Sequence, residues 1–420
     1  MFDIDAIRKD FPTIHDESIY LDSAASSLTP YVVLDTMADY YLHHRTNLHR
    51  SMHKLAMETA RKFDASMENI AQFIGANVED ITITSNATAA INLVALSLDF
   101  QPDDEIIIST LEHSSNVFPW MRLATKVGVK LRWWKAADDG TLDLAELESL
   151  ITPKTRLVAV THVSNVLGVI VPVAAIGAVC QEHNVLYLVD ACQSVPHLPI
   201  DVKQIGCDFL AFSGHKMCGP TGIGVLYLKP PHARDLTPAF LGGGSINTYR
   251  SRYATLDDCT LASHNYSELP HKWMAGTPPI AETFGLSAAI DYLRGVGMDA
   301  IVAHDTQLIQ QAINGLQDIP GVILFGPSDP AKRSGIISFN IQGIYPLKVG
   351  RLLTEDYNIG LRAGHNCALH YFHEVQQANI VEGNVRASFY LYTTPAEVDL
   401  LINAIREIAI THGKTALAVG

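Results

Sequence analysis

Short apolar runs recur along the first two thirds of the chain, separated by longer stretches with helical spacing. Residues 106–108, 157–160, 185–189, 209–212 and 223–228 are apolar almost without interruption, and 81–84 read as a further strand. Continuous apolar runs, rather than alternating ones, are what strands buried on both faces require. Their alternation with helix-like segments predicts βαβ units and a mostly parallel sheet, an α/β architecture. After about residue 285 the pattern turns mixed, with short strands near 336–339 and 385–389. The expected organisation is a large domain over 21–284 and a smaller α+β domain over 285–420, packed with the arm 1–20. In such sheets ligands bind beyond the carboxyl ends of the strands.

Composition narrows the function classes. A chain of 420 residues with 48% hydrophobic and 18% charged residues can bury a large core and a second smaller one. A net charge of −14 speaks against nucleic-acid or anionic-membrane surfaces, which need clustered Lys and Arg. The six cysteines lie scattered without C-x-x-C pairs, so neither a disulfide framework nor a zinc site is signalled, which fits a reducing, cytoplasmic setting. The acidic start, Met1 to Asp5, has no signal-peptide character, and the longest apolar run, near 168–180, is too short to span a bilayer. His49 and His53 have i, i+4 spacing but lack the glutamate of a zinc helix, so no metal is expected.

Two strand ends carry chemistry. Lys216 follows the 209–212 run inside Ser213-Gly214-His215-Lys216-Met217-Cys218-Gly219-Pro220. A partly desolvated lysine gives up its proton readily, and the free amine can form a Schiff base with an aldehyde. Ser213 and His215, two residues apart, share a face in extended backbone and can reach one anion. Asp190 closes the 185–189 run, where a carboxylate needs a cation or hydrogen-bond donors. Pyridoxal phosphate needs both groups: a lysine for its aldehyde and a carboxylate for its ring nitrogen. Each residue alone also fits a plainer role, a turn lysine and a strand-end or capping aspartate.

The combination of Val189-Asp190-Ala191-Cys192-Gln193-Ser194, Phe212-Ser213-Gly214-His215-Lys216 and Gly219-Pro220-Thr221-Gly222-Ile223-Gly224 resembles the class V aminotransferase superfamily of fold-type I pyridoxal-phosphate enzymes. Within it, the chain is most similar to the group II cysteine desulfurase and selenocysteine lyase family, from about Tyr20 to the C-terminal region. The resemblance implies that Lys216 binds the cofactor, Asp190 pairs with its ring nitrogen, and His113 stacks on the ring. It further implies that Gln193 donates to the phenolic oxygen, and that Thr88, the Ala87 N–H, Ser213 and His215 hold the phosphate. Thr277 would reach the phosphate of a second subunit, implying a homodimer, although Thr277-Pro278 by itself reads as a helix cap followed by proline.

For the substrate, the resemblance implies that Arg386 anchors the amino-acid carboxylate, with Asn165 nearby. Cys367 would take the sulfur, with Arg362 and His365 favouring its thiolate. The implied reaction converts L-cysteine to L-alanine and hands sulfur to a protein acceptor. Selenocysteine lyase, cysteine or cystine β-lyase and amino-acid aminotransferase or epimerase chemistry remain open on the same scaffold. The chain departs from the family's usual pattern at Ala87 (commonly Thr), Cys218 (commonly aromatic), Pro279 (often Asn) and Asn366 (commonly His), and it lacks the proline usual after Cys367.

Overall fold

The computed structural model describes residues 2–14, 18–48, 52–247, 252, 254–376 and 382–413; His49 lies outside them. Seven strands form the main sheet: β1 (Ile81–Thr84), β2 (Glu105–Ser109), β3 (Lys130–Trp134), β4 (Thr155–Thr161), β5 (Leu186–Asp190), β6 (Phe209–Ser213) and β7 (Gly224–Leu228). Their spatial order is β1-β7-β6-β5-β4-β2-β3, and only β7 runs against its neighbours.

The unbroken apolar runs have a direct cause. Successive side chains of a strand point to opposite faces, and here both faces are covered. Ile107, Val158, Val189 and Leu210 join one core with Phe63 and Met67 of the helix Lys54–Phe73 and with Leu286 and Ile290 of the helix Ile280–Val296. Ile106, Ile108, Ala159, Leu188 and Ala211 face the other core, with Ile91 of the helix Ala87–Ser97 and Trp120 of the helix Phe118–Val127.

A second, antiparallel sheet has β8 (Val322–Phe325), β9 (Ile336–Ile341), β10 (Arg362–Gly364) and β11 (Asn384–Ser388), in the order β8-β9-β11-β10. One face packs on the helices Met298–Leu316, Pro346–Tyr357 and Pro395–Gly413 through Phe339, Val385, Leu308, Val349 and Leu401. On β11, Val385 and Ala387 join that core, and period 2 sends Arg386 and Ser388 to the opposite face, toward the large domain.

The helix Ile280–Val296, which spans the expected boundary at 284/285, buries Phe284, Leu286 and Leu293 in the core of the main sheet. The arm serves both units: Ile7 and Phe11 enter the large core, Leu21 enters the small one, and Ile19–Tyr20 pairs in parallel with Ile359–Gly360. Arg8 Nη1 donates to the Tyr392 carbonyl at 2.7 Å, 384 positions away, and pairs with Glu397 at 3.0 Å. The Thr277-Pro278 helix start is corrected: the helix begins at Ile280 behind Pro279, with no side-chain cap. Among the described residues, no helix is long and apolar enough to cross a membrane.

Candidate active site

The parallel strands bring three carboxyl ends together. Asp190 ends β5, its register partner Thr161 ends β4, and Ser213 ends β6. A single tight turn, Gly214–Lys216, then brings Lys216 back over the sheet edge. Beside it starts the helix Ala87–Ser97. Its cap is Asn86: Asn86 Oδ1 accepts the Ala89 N–H at 2.9 Å. A Cβ on Gly224 would come within 2.5 Å of the Asn86 backbone, so only glycine lets this helix start lie against β7. The Ala87 N–H donates to Ser213 Oγ at 2.9 Å, and the Thr88 hydroxyl bonds the Ser115 hydroxyl at 2.7 Å.

His113 and His215 are both held neutral. Burial, then the nearby Lys216 charge, pushes each imidazole down to about 4. His113 Nδ1 accepts the Ser115 N–H at 3.1 Å, which turns its other nitrogen outward. Gln193 Nε2 donates to the Ala24 carbonyl at 2.7 Å. Asp190 is 4% exposed and takes the Cys192 N–H at 3.0 Å. Among the described residues neither Asp190 nor Lys216 has an ion-pair partner.

The small domain supplies the facing wall. Arg386 is 2% exposed; its Nη1 donates to the Asn165 carbonyl and its Nη2 to Asp22 Oδ1, both at 2.8 Å, and its buried Nε has no partner among the described residues. Arg362 stands opposite it in the β10–β11 register. After β10 the chain turns through Asn366 and Cys367, both left-handed, with φ of +50° and +59°. The Cys367 carbonyl accepts the Ser114 N–H at 2.8 Å and the Ser114 hydroxyl at 3.0 Å, so the large domain pins the turn. Asn165 Nδ2 donates to the Asn366 carbonyl at 2.7 Å.

These groups enclose a cavity of about 250 Å³, lined by Lys216, Asp190, Gln193, His113, Ala87, Thr88, Ser213, His215, Asn165, Arg362, Cys367 and Arg386. Two of the residues singled out in the sequence stand apart. His365 turns its Nδ1 to accept the Cys367 N–H at 3.1 Å. Thr277 is exposed and lines a separate surface cavity of about 720 Å³ with Asn47, Gly243 and Ser267. Cys218 is buried in the large core, which assigns it to packing. Among the described residues, no group of His, Cys, Asp and Glu side chains is placed to hold a metal.

Three structural contributors escaped the sequence reading. Glu112, fully buried, accepts from Ser109 Oγ (2.5 Å), Asn116 Nδ2 (2.7 Å) and the Thr161 N–H (3.0 Å), tying the His113 loop to β2 and β4. Burial pushes its carboxyl up to about 8 against the pull of those donors. Its signal was an acid four positions past the apolar run 106–108. Ser114 and Asp22 gave no such signal, because their partners, Cys367 and Arg386, lie 253 and 364 positions away.

The class-V aminotransferase model matches residues 19–401. A probable cysteine desulfurase from Streptomyces coelicolor is 42% identical, with 97% of each chain covered. The apo cysteine desulfurase from Thermococcus onnurineus superposes with a TM-score of 0.89 at 38% identity, covering 97% of this chain and 98% of that one. An Escherichia coli cysteine desulfurase gives a TM-score of 0.86 at 33% identity over 98% and 99%. The chain belongs to the class-V aminotransferase family.

Enzymes of this family are pyridoxal-phosphate dependent, and the site fits that cofactor. Among the described residues, the buried acid Asp190 and the lysine Lys216, both on one cavity, have no ion-pair partner. Buried charges are stable when paired, and the cofactor would supply a cationic ring nitrogen to the first and an aldehyde to the second. The neutral His113 ring lines the same cavity.

Proposed function

We propose that the chain is a pyridoxal-phosphate-dependent cysteine desulfurase, which takes sulfur from L-cysteine onto Cys367 and releases L-alanine. The observation that carries this reading is that Lys216 of the large domain and Cys367 of the small domain open onto one cavity together with Arg386.

Lys216 would hold the cofactor, with Asp190 on its ring nitrogen, His113 against its face, Gln193 at its phenolic oxygen, and Thr88, Ser213 and His215 around its phosphate. When bound, the cofactor supplies an electron sink for the substrate's Cα. The Arg386 fork takes the substrate carboxylate; its Nη groups each keep a second N–H, and its Nε has no partner among the described residues. The Lys216 amine moves the proton at Cα. The Cys367 thiolate attacks the substrate sulfur: an S–S bond forms as the C–S bond breaks, with the electron pair going to the substrate carbon, which takes up a proton. L-cysteine and the Cys367 thiol become L-alanine and a Cys367 persulfide, and every atom is accounted for. His113, kept neutral at pH 7 by burial and the Lys216 charge, presents an uncharged imidazole to the cavity.

The persulfide then passes to a thiol-bearing protein acceptor. The exposure of Thr277 outside the monomer's cavity supports a homodimer in which it completes the partner's phosphate site. The cysteine pattern supports a cytoplasmic location.

The test is the absorbance spectrum of purified protein before and after L-cysteine, with alanine, pyruvate and sulfide assayed. A visible band that shifts and yields alanine supports the reading, whereas pyruvate with ammonia moves the chain to β-lyase chemistry. Cys367→Ser should keep the band and lose alanine formation from cysteine; full turnover in that variant removes Cys367 from the reaction.

A further inference from the structure

We propose that Asn366 is the positioning residue of the nucleophile: its side chain, tied to both flanks of the turn, holds residues 366 and 367 in the left-handed conformation that presents Cys367 to the cavity. The proposal rests on the reading of Cys367 as the sulfur-accepting thiol.

Two successive non-glycine residues at positive φ are uncommon, because Cβ crowds the following carbonyl there. Asparagine tolerates this region better than most residues, and cysteine has no such advantage, so the turn needs an external hold. The Asn366 amide provides one. Its Nδ2 donates to the Gly364 carbonyl at 2.9 Å and to Asn384 Oδ1 at 2.8 Å, and Gly364 and Asn384 are register partners on β10 and β11. Its own carbonyl is held by Asn165 of the large domain at 2.7 Å. Asn366 is 4% exposed; its Nδ2 is spent on the loop backbone and a neighbouring strand, and its Oδ1 is buried with no hydrogen-bond partner among the described residues. The turn is thereby clamped from β10, from β11 and from across the cavity, with Cys367 at its tip.

A positioning role predicts a split between binding and turnover. In the holoenzyme, Asn366→Ala should lower kcat for desulfuration by about tenfold or more, because small misplacements of a reacting group are costly. KM for L-cysteine should stay within about twofold, since Arg386 is untouched. Asn366→Gly keeps left-handed backbone accessible while losing the amide ties, and should fall between the parent and Asn366→Ala. Alkylation of Cys367 by iodoacetamide, read by mass spectrometry, should proceed at least as fast in both variants as in the parent, showing a thiol that is present but no longer aimed. Parental kcat in Asn366→Ala overturns the proposal. So does a loss of kcat with an equal slowing of alkylation, which would mean that the thiol had been buried. Should Asn366→Ala fail to fold, the glycine variant alone carries the same test. Failure of the underlying reading shows separately, as full turnover in Cys367→Ser, while the alkylation rates still report the loop.

Discussion

Across the cavity, two walls present reactive groups by different means. Asp190, Ser213 and Lys216 stand at or just beyond the ends of strands buried on both faces, so the whole sheet fixes their positions. Cys367 stands on a turn of left-handed residues, held by hydrogen bonds from Ser114 and Asn165 and by one that Asn366 donates to Asn384, rather than by a core of its own. The first wall suits a cofactor that stays in one place. The second suits a sulfur carrier that faces substrate and then acceptor, because a hydrogen-bonded turn opens at far lower cost than a sheet.

The strongest way to break this contrast is at Lys216. Lys216→Ala should abolish covalent cofactor retention and reduce alanine formation to background, whereas Cys367→Ser leaves the visible band intact; a shared loss of the band would erase the distinction between the walls. Next is Arg386→Lys, which replaces a planar fork by a point charge. It should reduce kcat/KM by roughly 30- to 160-fold, the worth of about 2–3 kcal/mol in charge-assisted hydrogen bonds. A substrate titration that leaves kcat/KM unchanged would take the carboxylate anchor away from Arg386.

The sheet side is also expected to respond to acid. Burial pushes His162, just past β4, down from its ordinary 6.5 to about 4. Below pH 6.5 the unfolded chain takes up a proton that the native chain refuses until about pH 4. Stability from this group is therefore complete above pH 6.5 and falls as pH drops toward 4, by at most about 1.4 kcal/mol per pH unit. His162→Gln should flatten that part of the slope in denaturant melts at pH 7 and pH 5; an unchanged slope would assign the acid sensitivity elsewhere. The smallest effect belongs to Ser114→Ala. The backbone N–H of Ser114 still holds the Cys367 carbonyl, so losing one neutral hydrogen bond, about 1 kcal/mol, should cost about fivefold in kcat. No change there would show that the backbone bond alone suffices.

The sheet wall was legible in the sequence because its cause is local: apolar runs such as 185–189 and 209–212 mark buried parallel strands, and Asp190 and Lys216 follow them at once. The turn wall was legible only as a resemblance around Cys367, since its geometry depends on partners such as Asn165, 201 positions from Asn366. Helix starts were less legible than strands. The segment 86–88 offers Asn and Thr, and Asn86 wins because the turn places its oxygen against the Ala89 N–H. Near 277 the helix instead begins after the second proline. Glu112 was visible as a letter, but its three donors come from β2, β4 and the loop between them and helix Phe118–Val127.

The arm that threads both cores governs the order in which the molecule can assemble. Leu21 and the pair Ile19–Tyr20 belong to the small domain's packing, yet their partners at Ile359–Gly360 leave the ribosome far later. The strands of the main sheet, all within residues 81–228, can pair during synthesis, but the small core must wait for nearly the whole chain and then recapture a segment made at the outset. Such long-range closure slows folding and leaves apolar residues exposed in the meantime. Newly made chains should thus pass through a stage with a formed sheet wall and no nucleophile opposite it, in which the cofactor's lysine is in place before sulfur transfer is possible.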